Sequence, residues 1–374
     1  MKLAIVHDDF IQHGGAERLV LELLRLYPDA ILYTSYISKE WQQVFNTDSI
    51  KVKTSFMQYL PAKKKLNKFY ACLGFYPLAF ESFNFDEFDV VISVSARFAH
   101  GVITKPNTYH ISYVNSPPRM FWEFHDYFEN FAFSSSNLIT KVCLGFLKIV
   151  SAYHRTWDYA ASRRSDKVLA NSKTPQSKIQ RYYGRGSEIV YPFVDIKLYE
   201  SVKLTKEDFY LVISRLVSWK KVDQAIEACI QTGDRLKVVG TGEQLTAYKK
   251  LAEGHPNIEI LGYVDENTKL TLLASCKALI NTQCEDFGIV PLEAMACGKP
   301  VIAYGKGGVL ETVIPGKTGV FYTEQTVKAL SEILSSFNAD AYLMTDCIHQ
   351  ARKFSLEVFT EKIQKSINSV YLKD

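Results

Sequence analysis

Residues 278–293, which read ALINTQCEDFGIVPLE, decide the fold prediction because they contain a strand, a loop and the start of a helix. The apolar run Ala278–Asn281 is typical of a buried parallel strand, and Pro291 suits the first turn of a helix. Glu285 and Glu293 stand eight positions apart, the first in the loop and the second in that first turn. Open α/β sheets bind ligands at the carboxyl edge of their strands. The stretch therefore predicts both an α/β fold and a ligand site.

The loop between these two carboxylates has the features of an anion site. Backbone N–H groups around Gly288 and Ile289 precede a helix and favour phosphate, and glycine lets the backbone approach an anion closely. One carboxylate could then bind sugar hydroxyls and the other a ribose diol. Taken alone, the spacing fits equally a Glu293 that complements the helix dipole and a solvated Glu285. The strand–loop–helix context favours the ligand site.

Outward from this stretch, strand-like runs alternate with helix-length amphipathic segments, a pattern typical of α/β layers around parallel sheets. A first series runs from Leu3–His7 to Lys167–Ala170, and a second begins after an exposed crossover at Glu188–Pro192. The other predicted strands are Ala30–Tyr33, Val90–Ser93 and His110–Val114 in the first series, and Phe209–Ile213, Leu236–Val239, Ile258–Leu261 and Pro300–Ala303 in the second. Both series therefore predict a doubly wound domain.

The length of 374 residues suits two domains. We predict domains at residues 1–190 and 191–354, with an amphipathic helix at 355–374 that packs back on the first domain. Hydrophobic residues at 47% and charged residues at 22% are globular values. The net charge of +4 divides into +6 for residues 1–190 (23 basic, 17 acidic) and −2 for the rest (21 basic, 23 acidic). This favours an anionic partner for the first domain, but the excess is too small for a nucleic-acid binder.

Cysteine usage and hydropathy indicate the compartment. The seven cysteines include no C-x-x-C pair and no metal-ligand spacing, so reduced thiols are expected. No run of 18 apolar residues occurs, and the opening apolar run is too short for a signal-peptide core. We expect a cytoplasmic protein.

A second candidate site is the loop Ser214–Lys221, directly after a predicted strand. The planar guanidinium of Arg215 and the ammonium of Lys220 suit a diphosphate. They could offset the charge that grows on a leaving phosphate. An ordinary basic surface turn would have the same sequence, so this loop alone does not distinguish the two.

Three glycine loops also follow predicted strands: Gly14-Gly15, Gly240-Thr241-Gly242 and Gly307-Gly308. A glycine at such a place lets the backbone approach a ligand, as in the dinucleotide-binding fingerprint. Each loop alone fits an ordinary turn glycine. Their repetition at strand ends favours a ligand site.

Residues 53–85 depart from the alternation of strands and amphipathic helices because they are rich in aromatics and carry Lys63-Lys64-Lys65 and Lys68. Basic residues beside Tyr59 and Phe69 could lie on an anionic membrane surface. The alternative is a helical pair packed on the sheet with a solvated lysine face. Both interpretations remain open from the sequence.

Together, these motifs resemble glycosyltransferase family 4, whose members are retaining enzymes of the GT-B fold. The resemblance covers nearly the whole chain and rests on Gly14-Gly15-Ala16-Glu17-Arg18, Trp157-Asp158, Ala170-Asn171-Ser172, Tyr191-Pro192-Phe193-Val194-Asp195, Ser214-Arg215 with Lys220, Leu261-Gly262-Tyr263 and Glu285-x7-Glu293. It implies two Rossmann-like domains that face each other across a cleft, with a C-terminal helix crossing back to the first. Residues 113–122, which read YVNSPPRMFW, resemble a segment of bacterial O-antigen mannosyltransferases that use GDP-mannose.

The resemblance also implies a role for each candidate residue. Arg215 and Lys220 would bind the diphosphate, Glu285 the donor sugar and Glu293 the ribose. The other implied contacts are the backbone amides of Gly288 and Ile289 to phosphate or sugar, Tyr263 and Val264 to the base, and Gly14, Gly15 and Gly240 near the donor. Family members are assigned a front-face mechanism that requires no acid pair and no divalent metal.

One position departs from the family pattern. Relatives commonly carry a histidine where this chain has Asn115, which can donate a hydrogen bond to the donor sugar but cannot hold a positive charge. His110 falls inside a predicted strand and is expected in the core. His7 ends the first strand, so both a core and a site position are open for it.

The sequence thus predicts a retaining glycosyltransferase that moves a hexose, with mannose favoured, from a nucleotide diphosphate to a lipid-linked or polysaccharide acceptor. Because Asn115 replaces the histidine, a non-catalytic scaffold that binds sugar nucleotides is one alternative. A sugar-nucleotide epimerase of the same fold is the other.

Overall fold

The computed structural model describes residues 1–12, 14–124, 138–205 and 207–371. The chain divides into two compact units, one of residues 1–191 with 362–374 and one of residues 192–361. Each unit has its own parallel sheet. The last helix, Leu356–Tyr371, begins in the second unit and ends in the first.

Seven parallel strands form the sheet of the first unit, in the order β3-β2-β1-β4-β5-β6-β7. They are β1 Leu3–His7, β2 Ile31–Thr34, β3 Val52–Thr54, β4 Val90–Ser95, β5 Tyr109–Val114, β6 Lys167–Ala170 and β7 Glu188–Ile189. The strand order reverses between β1 and β4, so the crevice beside their carboxyl ends is the topological switch point of this sheet.

The helices of the first unit are α1 Gly15–Leu26, α2 Lys39–Thr47, α3 Asn67–Cys72, α4 Phe75–Glu81, α5 Arg119–Trp122, α6 Leu138–Ser162 and α7 Lys173–Tyr183. Helix α1 buries Leu19, Val20, Leu23 and Leu24, the i, i+3, i+4 face that its sequence predicts. Aromatic residues dominate the core here, with Tyr33, Tyr76 and Phe98 fully buried among aliphatic side chains.

Six parallel strands form the sheet of the second unit, in the order β10-β9-β8-β11-β12-β13. They are β8 Tyr210–Ile213, β9 Leu236–Val239, β10 Ile258–Gly262, β11 Ala278–Asn281, β12 Val301–Tyr304 and β13 Gly319–Tyr322. Its switch point lies between β8 and β11. The central strands β8, β9 and β11 are rich in Val, Ile and Leu, as expected for a parallel sheet covered on both faces.

The helices that follow are α8 Ile196–Glu200, α9 Val222–Thr232, α10 Leu245–Leu251, α11 Glu266–Ser275, α12 Val290–Ala296, α13 Val309–Thr312, α14 Val327–Ser336, α15 Met344–Arg352 and α16 Leu356–Tyr371. Pro291 lies in the first turn of α12, and Gly298 follows this helix with a φ of +69°. The position of Pro291 is the one predicted from the sequence.

The two sheets confirm the prediction of two Rossmann-like parallel-sheet domains, but three strands differ from it. Glu188–Ile189 is not an exposed crossover: it pairs with β6 as the seventh strand of the first sheet, because Val190 donates to Ala170 and continues the ladder. Strands β3 and β13 were not predicted. Strand β3 has only half-buried and exposed side chains, so its sequence carries no apolar signal.

The buried histidine of β5 has the position expected from the sequence. His110 is fully buried, and its Nε2 lies 2.8 Å from the hydroxyl of Ser93. Burial lowers the pKa of His110 to about 3, with nearby cationic side chains adding to the effect. His110 is therefore a neutral core residue.

Candidate functional site

The switch point of the second sheet holds an ion pair between Lys220 and Glu285. Lys220 ends the 3₁₀ turn Ser218–Lys220 after β8, and Glu285 lies in the loop after β11. The ammonium of Lys220 contacts Oε1 of Glu285 and lies 4.3 Å from the ring centroid of Trp219. The Lys220 side chain is 5% exposed and that of Glu285 is 24% exposed. Two of the predicted site residues therefore meet at the position where doubly wound sheets bind ligands.

Backbone and hydroxyl hydrogen bonds hold these two loops together. The hydroxyl of Thr282, just after β11, donates to the carbonyl of Lys220 at 2.8 Å. The N–H of Gly308 donates to the carbonyl of Glu285 at 2.8 Å. The loops after β8, β11 and β12 thus form one connected edge.

The glycines of the β9 loop allow close packing against the Arg215 loop. A Cβ on Gly240, whose φ is +142°, would lie 1.7 Å from the carbonyl oxygen of Ser214, and one on Gly242 would lie 2.3 Å from that of Leu216. The N–H of Leu216 donates to Thr241 at 2.9 Å. The close approach that Gly240 permits is therefore to protein backbone, rather than to an open space for a ligand.

The glycines after β12 also allow close packing against the backbone of a neighbouring loop. A Cβ on Gly307 would lie 2.3 Å from the carbonyl oxygen of Glu285, and one on Gly308 would lie 2.2 Å from that of Phe287. Any side chain at these positions would displace the loop that carries Glu285. These glycines therefore fix the position of the predicted sugar-binding carboxylate.

Gly288 and Ile289 connect the two carboxylates of the opening motif. Gly288 has a φ of +86°, and a Cβ there would lie 3.2 Å from Oε2 of Glu285. Ile289 is the N-cap of α12. Their N–H groups thus lie between the Glu285 loop and the helix that carries Glu293, as the sequence predicts.

Glu293 has a partner that the sequence analysis missed. Its side chain is only 6% exposed, and its Oε1 lies 3.2 Å from the ammonium of Lys269 on α11. The same ammonium lies 2.7 Å from Oε1 of Glu266. Burial would lower the pKa of Lys269, but Glu293 and Glu266 raise it above its ordinary value. In sequence, nothing distinguishes Lys269 from a solvated helix lysine.

Arg215 and Tyr263 are exposed at the same edge of the sheet. Arg215 follows β8, and no carboxylate within the described ranges forms an ion pair with its guanidinium. Tyr263 follows β10 with 81% of its surface exposed, and Val264 is half-buried. The N–H of Gly240 donates to the carbonyl of Gly262 at 2.8 Å, which joins the β9 and β10 loops. The structure thus places Arg215, Tyr263 and Val264 on loops of one edge.

The switch point of the first sheet holds a carboxylate that accepts backbone N–H groups, beside an ion pair between the same two loops. Asp8, after β1, accepts hydrogen bonds at 2.7–2.9 Å from the four N–H groups of residues 96–99, after β4. Burial would raise the pKa of Asp8, but Arg97, His7 and these N–H donors lower it below its ordinary value. The carboxylate of Asp9 contacts Arg97 and accepts from Tyr76 at 2.9 Å.

The predicted glycine pair begins α1, the helix that follows β1. Gly14 is the N-cap of α1, Gly15 is its first residue, and a Cβ on Gly14 would lie 2.8 Å from Oε2 of Glu17. Nδ1 of His7 lies 2.9 Å from the carbonyl oxygen of Val94. Burial would lower the pKa of His7, but hydrogen bonding and charge from Glu17 raise it above 6.5. His7 is therefore a buried residue that is paired with Glu17.

Asn115 follows β5 at the carboxyl edge of the first sheet. Its N–H donates to Ser95 at 2.8 Å. Its Nδ2 is buried and, in the part of the chain that the structure describes, has no hydrogen-bond partner. An amide donor without a partner can serve a ligand oxygen.

Three further findings concern the described residues as a whole. An open depression of about 460 Å³ is lined by Asp208, Lys277 and Phe337 among others. Because Asp208 and Lys277 precede β8 and β11, it lies at the amino edge, away from the candidate site. No three His, Cys, Asp or Glu side chains of the described ranges gather as a possible metal site. No helix in those ranges has both the length and the apolar character needed to span a bilayer.

Comparison with known proteins finds a family match in the second unit. Residues 196–354 match the family model of glycosyl transferases group 1. The match covers 159 of the 374 residues, so this segment is similar to that family. It contains every predicted site residue that follows a strand of the second sheet.

The relatives in sequence include mannosyltransferases. Human alpha-1,3/1,6-mannosyltransferase ALG2 is 28% identical over 246 residues, which cover 55% of this chain and 59% of that protein. A GDP-mannose-dependent phosphatidylinositol monomannoside mannosyltransferase of Corynebacterium glutamicum is 31% identical over 175 residues, 42% of this chain and 46% of that protein. The chain thus spans about half the length of these two relatives.

The similarity in structure extends over the whole chain. The Anabaena protein HepE in complex with UDP has a TM-score of 0.72 and 18% identity, covering 99% of this chain and 100% of that one. A sucrose-phosphate synthase of Thermosynechococcus elongatus has a TM-score of 0.70 and 14% identity, covering 100% of both chains. At this identity the similarity shows the fold, which is that of GT-B glycosyltransferases.

Proposed function

We propose that this protein is a retaining glycosyltransferase that moves a hexose from a nucleotide diphosphate to a lipid-linked or polysaccharide acceptor. The observation that carries the proposal is the contact of Lys220 with Glu285 at the switch point of a unit that matches the group 1 glycosyl transferase model. A buried cation and a carboxylate at this place suit a phosphate and a sugar hydroxyl, respectively.

In the proposed reaction, Lys220 and Arg215 bind the two phosphates and offset the charge that grows on the diphosphate as the glycosidic bond breaks. Glu285 accepts hydrogen bonds from the sugar hydroxyls, and the amides of Gly288 and Ile289 donate to phosphate or sugar. The leaving phosphate takes the proton of the acceptor hydroxyl on the same face of the sugar. These cationic groups would have the electrostatic role that a divalent metal has elsewhere, so we propose a metal-independent enzyme.

For the donor, we propose GDP-mannose. Support comes from the segment 113–122 and from the names of the mannosyltransferase relatives, one of which is GDP-mannose-dependent. A structural neighbour was solved with UDP-glucose, so UDP-sugars are the main competitor. Tyr263 and Val264 are the residues we propose to contact the base.

The test is a transfer assay with GDP-mannose, UDP-glucose and UDP-galactose, with and without a lipid-linked or polysaccharide acceptor and with EDTA present. We expect release of free nucleotide only when the acceptor is present, and no effect of EDTA. Release without acceptor, or reaction of none of the donors, would contradict the transferase proposal.

The second candidate function is a scaffold that binds sugar nucleotides without catalysis, and Asn115 at the position where relatives commonly carry a histidine favours it. An amide in place of a histidine could bind a donor and yet stabilise the transition state poorly. If the parent binds donor but is inert, and Asn115→His gains transfer activity, the scaffold is the better description. If the parent transfers sugar and Asn115→Ala reduces the rate, an enzyme is the better description.

We propose that the first unit contacts an anionic membrane through residues 53–85. The stretch Lys51–Phe80 holds six lysines and no Asp or Glu. Tyr59, Phe69 and Leu78 in it are 87%, 56% and 59% exposed. Such a combination of basic and exposed apolar side chains is typical of interfacial binding. The side chain of Lys68 lies outside the described residues.

Helix α6 extends this apolar surface. Phe146, Ile149 and Tyr153 recur at helical spacing and are 55%, 72% and 72% exposed. Helix α6 is next to α3, since Nε2 of His154 lies 3.0 Å from the carbonyl oxygen of Cys72. The proposed membrane surface therefore includes two elements that are distant in sequence.

Sedimentation with vesicles containing phosphatidylserine tests this surface. The double variant Lys64→Glu/Lys65→Glu should reduce binding about tenfold or more, since each lysine near an anionic surface contributes about 1 kcal/mol. The control is Lys249→Glu/Lys250→Glu, an exposed lysine pair on α10 of the second unit. Equal sedimentation of the two variants would contradict the proposal.

A further inference from the structure

The side chain of Lys269 connects two helices that begin at the candidate site. It is in α11, and its ammonium contacts Glu293 of α12 at 3.2 Å and Glu266 of its own helix at 2.7 Å. The Lys269 side chain is 17% exposed and that of Glu293 is 6% exposed, whereas Glu266 is 54% exposed. The contact with Glu293 is thus the buried one.

The two helices carry different predicted parts of the nucleotide site. Helix α11 begins directly after Tyr263 and Val264, and Asp265 caps it by accepting from Thr268 at 2.9 Å. Helix α12 carries Glu293 in its first turn. Lys269 therefore connects the loop predicted to meet the base with the carboxylate predicted to meet the ribose.

The charges explain why a lysine is needed here. Removing one partner of a buried ion pair leaves an uncompensated charge, which is strongly unfavourable. The ammonium of Lys269 compensates the buried carboxylate of Glu293 and restricts its orientation through a charged hydrogen bond. A second carboxylate, Glu266, restrains the lysine from the solvent side.

We propose that Lys269 is a positioning residue for ribose recognition: it holds the Glu293 carboxylate in the orientation that accepts hydrogen bonds from the ribose hydroxyls. This rests on the proposed function, because it assumes that a nucleotide binds at this edge. Lys269 itself touches neither phosphate nor sugar in this account. Its removal should change the selectivity for ribose and leave the contacts to phosphate in place.

The experiment compares calorimetric titrations of GDP, UDP and their 2′-deoxy forms into the parent and Lys269→Met. The parent should bind the better ribonucleotide about 10–100-fold more tightly than its 2′-deoxy form, the range for a hydrogen bond to a charged group. In Lys269→Met this ratio should fall below about threefold, and Lys269→Arg should restore most of it. Lys269→Gln provides the same test if Lys269→Met does not fold.

Lys277→Met is the matched control. Lys277 also belongs to the second unit, is 22% exposed and pairs with Asp208 at 3.5 Å, but it lies at the opposite edge of the sheet. Its removal should leave the ribose-to-deoxyribose ratio unchanged. A general loss of stability would affect both variants and both nucleotide forms, so a change in the ratio separates positioning from folding.

The outcomes separate this proposal from the proposed function. If the parent discriminates ribose from deoxyribose and Lys269→Met does so equally well, the positioning role is wrong and the nucleotide site stands. If the parent binds neither GDP nor UDP, the proposed function is wrong and the role of Lys269 with it.

Discussion

The switch points of the two sheets are alike in topology and differ in what the carboxylate that closes the crevice binds. In the first unit, the crevice between β1 and β4 is closed by Asp8, whose carboxylate accepts four backbone N–H groups of the opposite loop. In the second unit, the crevice between β8 and β11 is crossed by the side chains of Lys220 and Glu285. At the first edge, the carboxylate of Asp8 is used to hold backbone, and Asp9 pairs with Arg97 of that same loop. The second keeps a cation and a carboxylate whose contact a ligand could replace.

This difference shows which charged residues of a Rossmann-like edge are structural. Hydrogen bonds from four N–H groups to one buried carboxylate cannot be exchanged for ligand contacts without unfolding the loop. A side-chain ion pair can be opened, because diphosphate and sugar hydroxyls offer equivalent partners. We therefore expect substitutions at the first edge to reduce stability, and those at the second to reduce binding and turnover.

The largest expected effect is at Asp8. Asp8→Ala should lower the free energy of unfolding of the first unit by about 3–5 kcal/mol, the cost of breaking a buried charged pair, as measured by hydrogen exchange of β1 and β4. Because the pKa of Asp8 is lowered in the folded state, its contribution is present above its ordinary pKa of 3.8 and is lost as the pH falls below that value. The control is Asp86→Ala, at an exposed aspartate paired with Lys105. It should lower the free energy of unfolding by less than about 0.5 kcal/mol.

Lys220 tests the prediction that substitutions at the second edge reduce binding and turnover. Lys220→Met should reduce the rate of sugar transfer about 10²–10³-fold, the usual loss for a group that stabilises transition-state charge. Lys221→Met is the control, because the neighbouring lysine is exposed. Equal losses in the two variants would assign the effect to local folding. An unchanged rate in Lys220→Met would remove it from the catalytic site.

Gly240 tests whether the second edge depends on its backbone packing. Gly240→Ala should destabilise the second unit by about 2–3 kcal/mol, since the new methyl group would collide with the Ser214 carbonyl. It should also weaken nucleotide binding, because Arg215 must move with its neighbour. Gly233 has a φ of +76° and open space around it, so Gly233→Ala should add only backbone strain. We expect this strain to lower the free energy of unfolding by about 1 kcal/mol. Thermal unfolding and calorimetry measure the two effects.

The smallest expected effect is the pH dependence of the His7–Glu17 pair. The pKa of His7 is raised above 6.5 in the folded state, so its contribution to stability is present below 6.5 and is lost as the pH rises through the raised value. Between pH 6 and pH 9, the parent should lose more stability than Glu17→Gln does. Titration of the His7 ring by NMR in both proteins checks this directly, and an identical pKa in the two would contradict the pairing.

The fold was predictable where the sequence pattern is strong. Buried parallel strands such as Ala278–Asn281 form continuous apolar runs, and Pro291 and Gly298 mark the ends of α12. The short edge strand Glu188–Ile189 has no such signal: it has an exposed and a half-buried side chain, so its pairing with β6 depends on tertiary context. Its sequence therefore predicts an exposed crossover rather than a strand.

The sequence predicts which motifs form the candidate site, but it does not predict which of their side chains pair with one another. The strand-end positions of Lys220, Glu285 and Glu293 follow from the strand pattern, since strand ends of a parallel sheet share one edge. The contact between Lys269 and Glu293 depends on how α11 and α12 pack, which no local pattern encodes. Gly240 shows a further limit, because its packing against Ser214 is invisible in sequence.

The most direct test of the account is a calorimetric titration of GDP and UDP, without sugar, into the parent, Lys220→Met and Glu285→Gln. If Lys220 is the phosphate ligand and Glu285 competes for it in the unliganded protein, Lys220→Met should bind the nucleotide at least about tenfold more weakly. Glu285→Gln should bind it as tightly as the parent or more so. Binding of neither nucleotide to the parent, or equal weakening in both variants, would contradict the account.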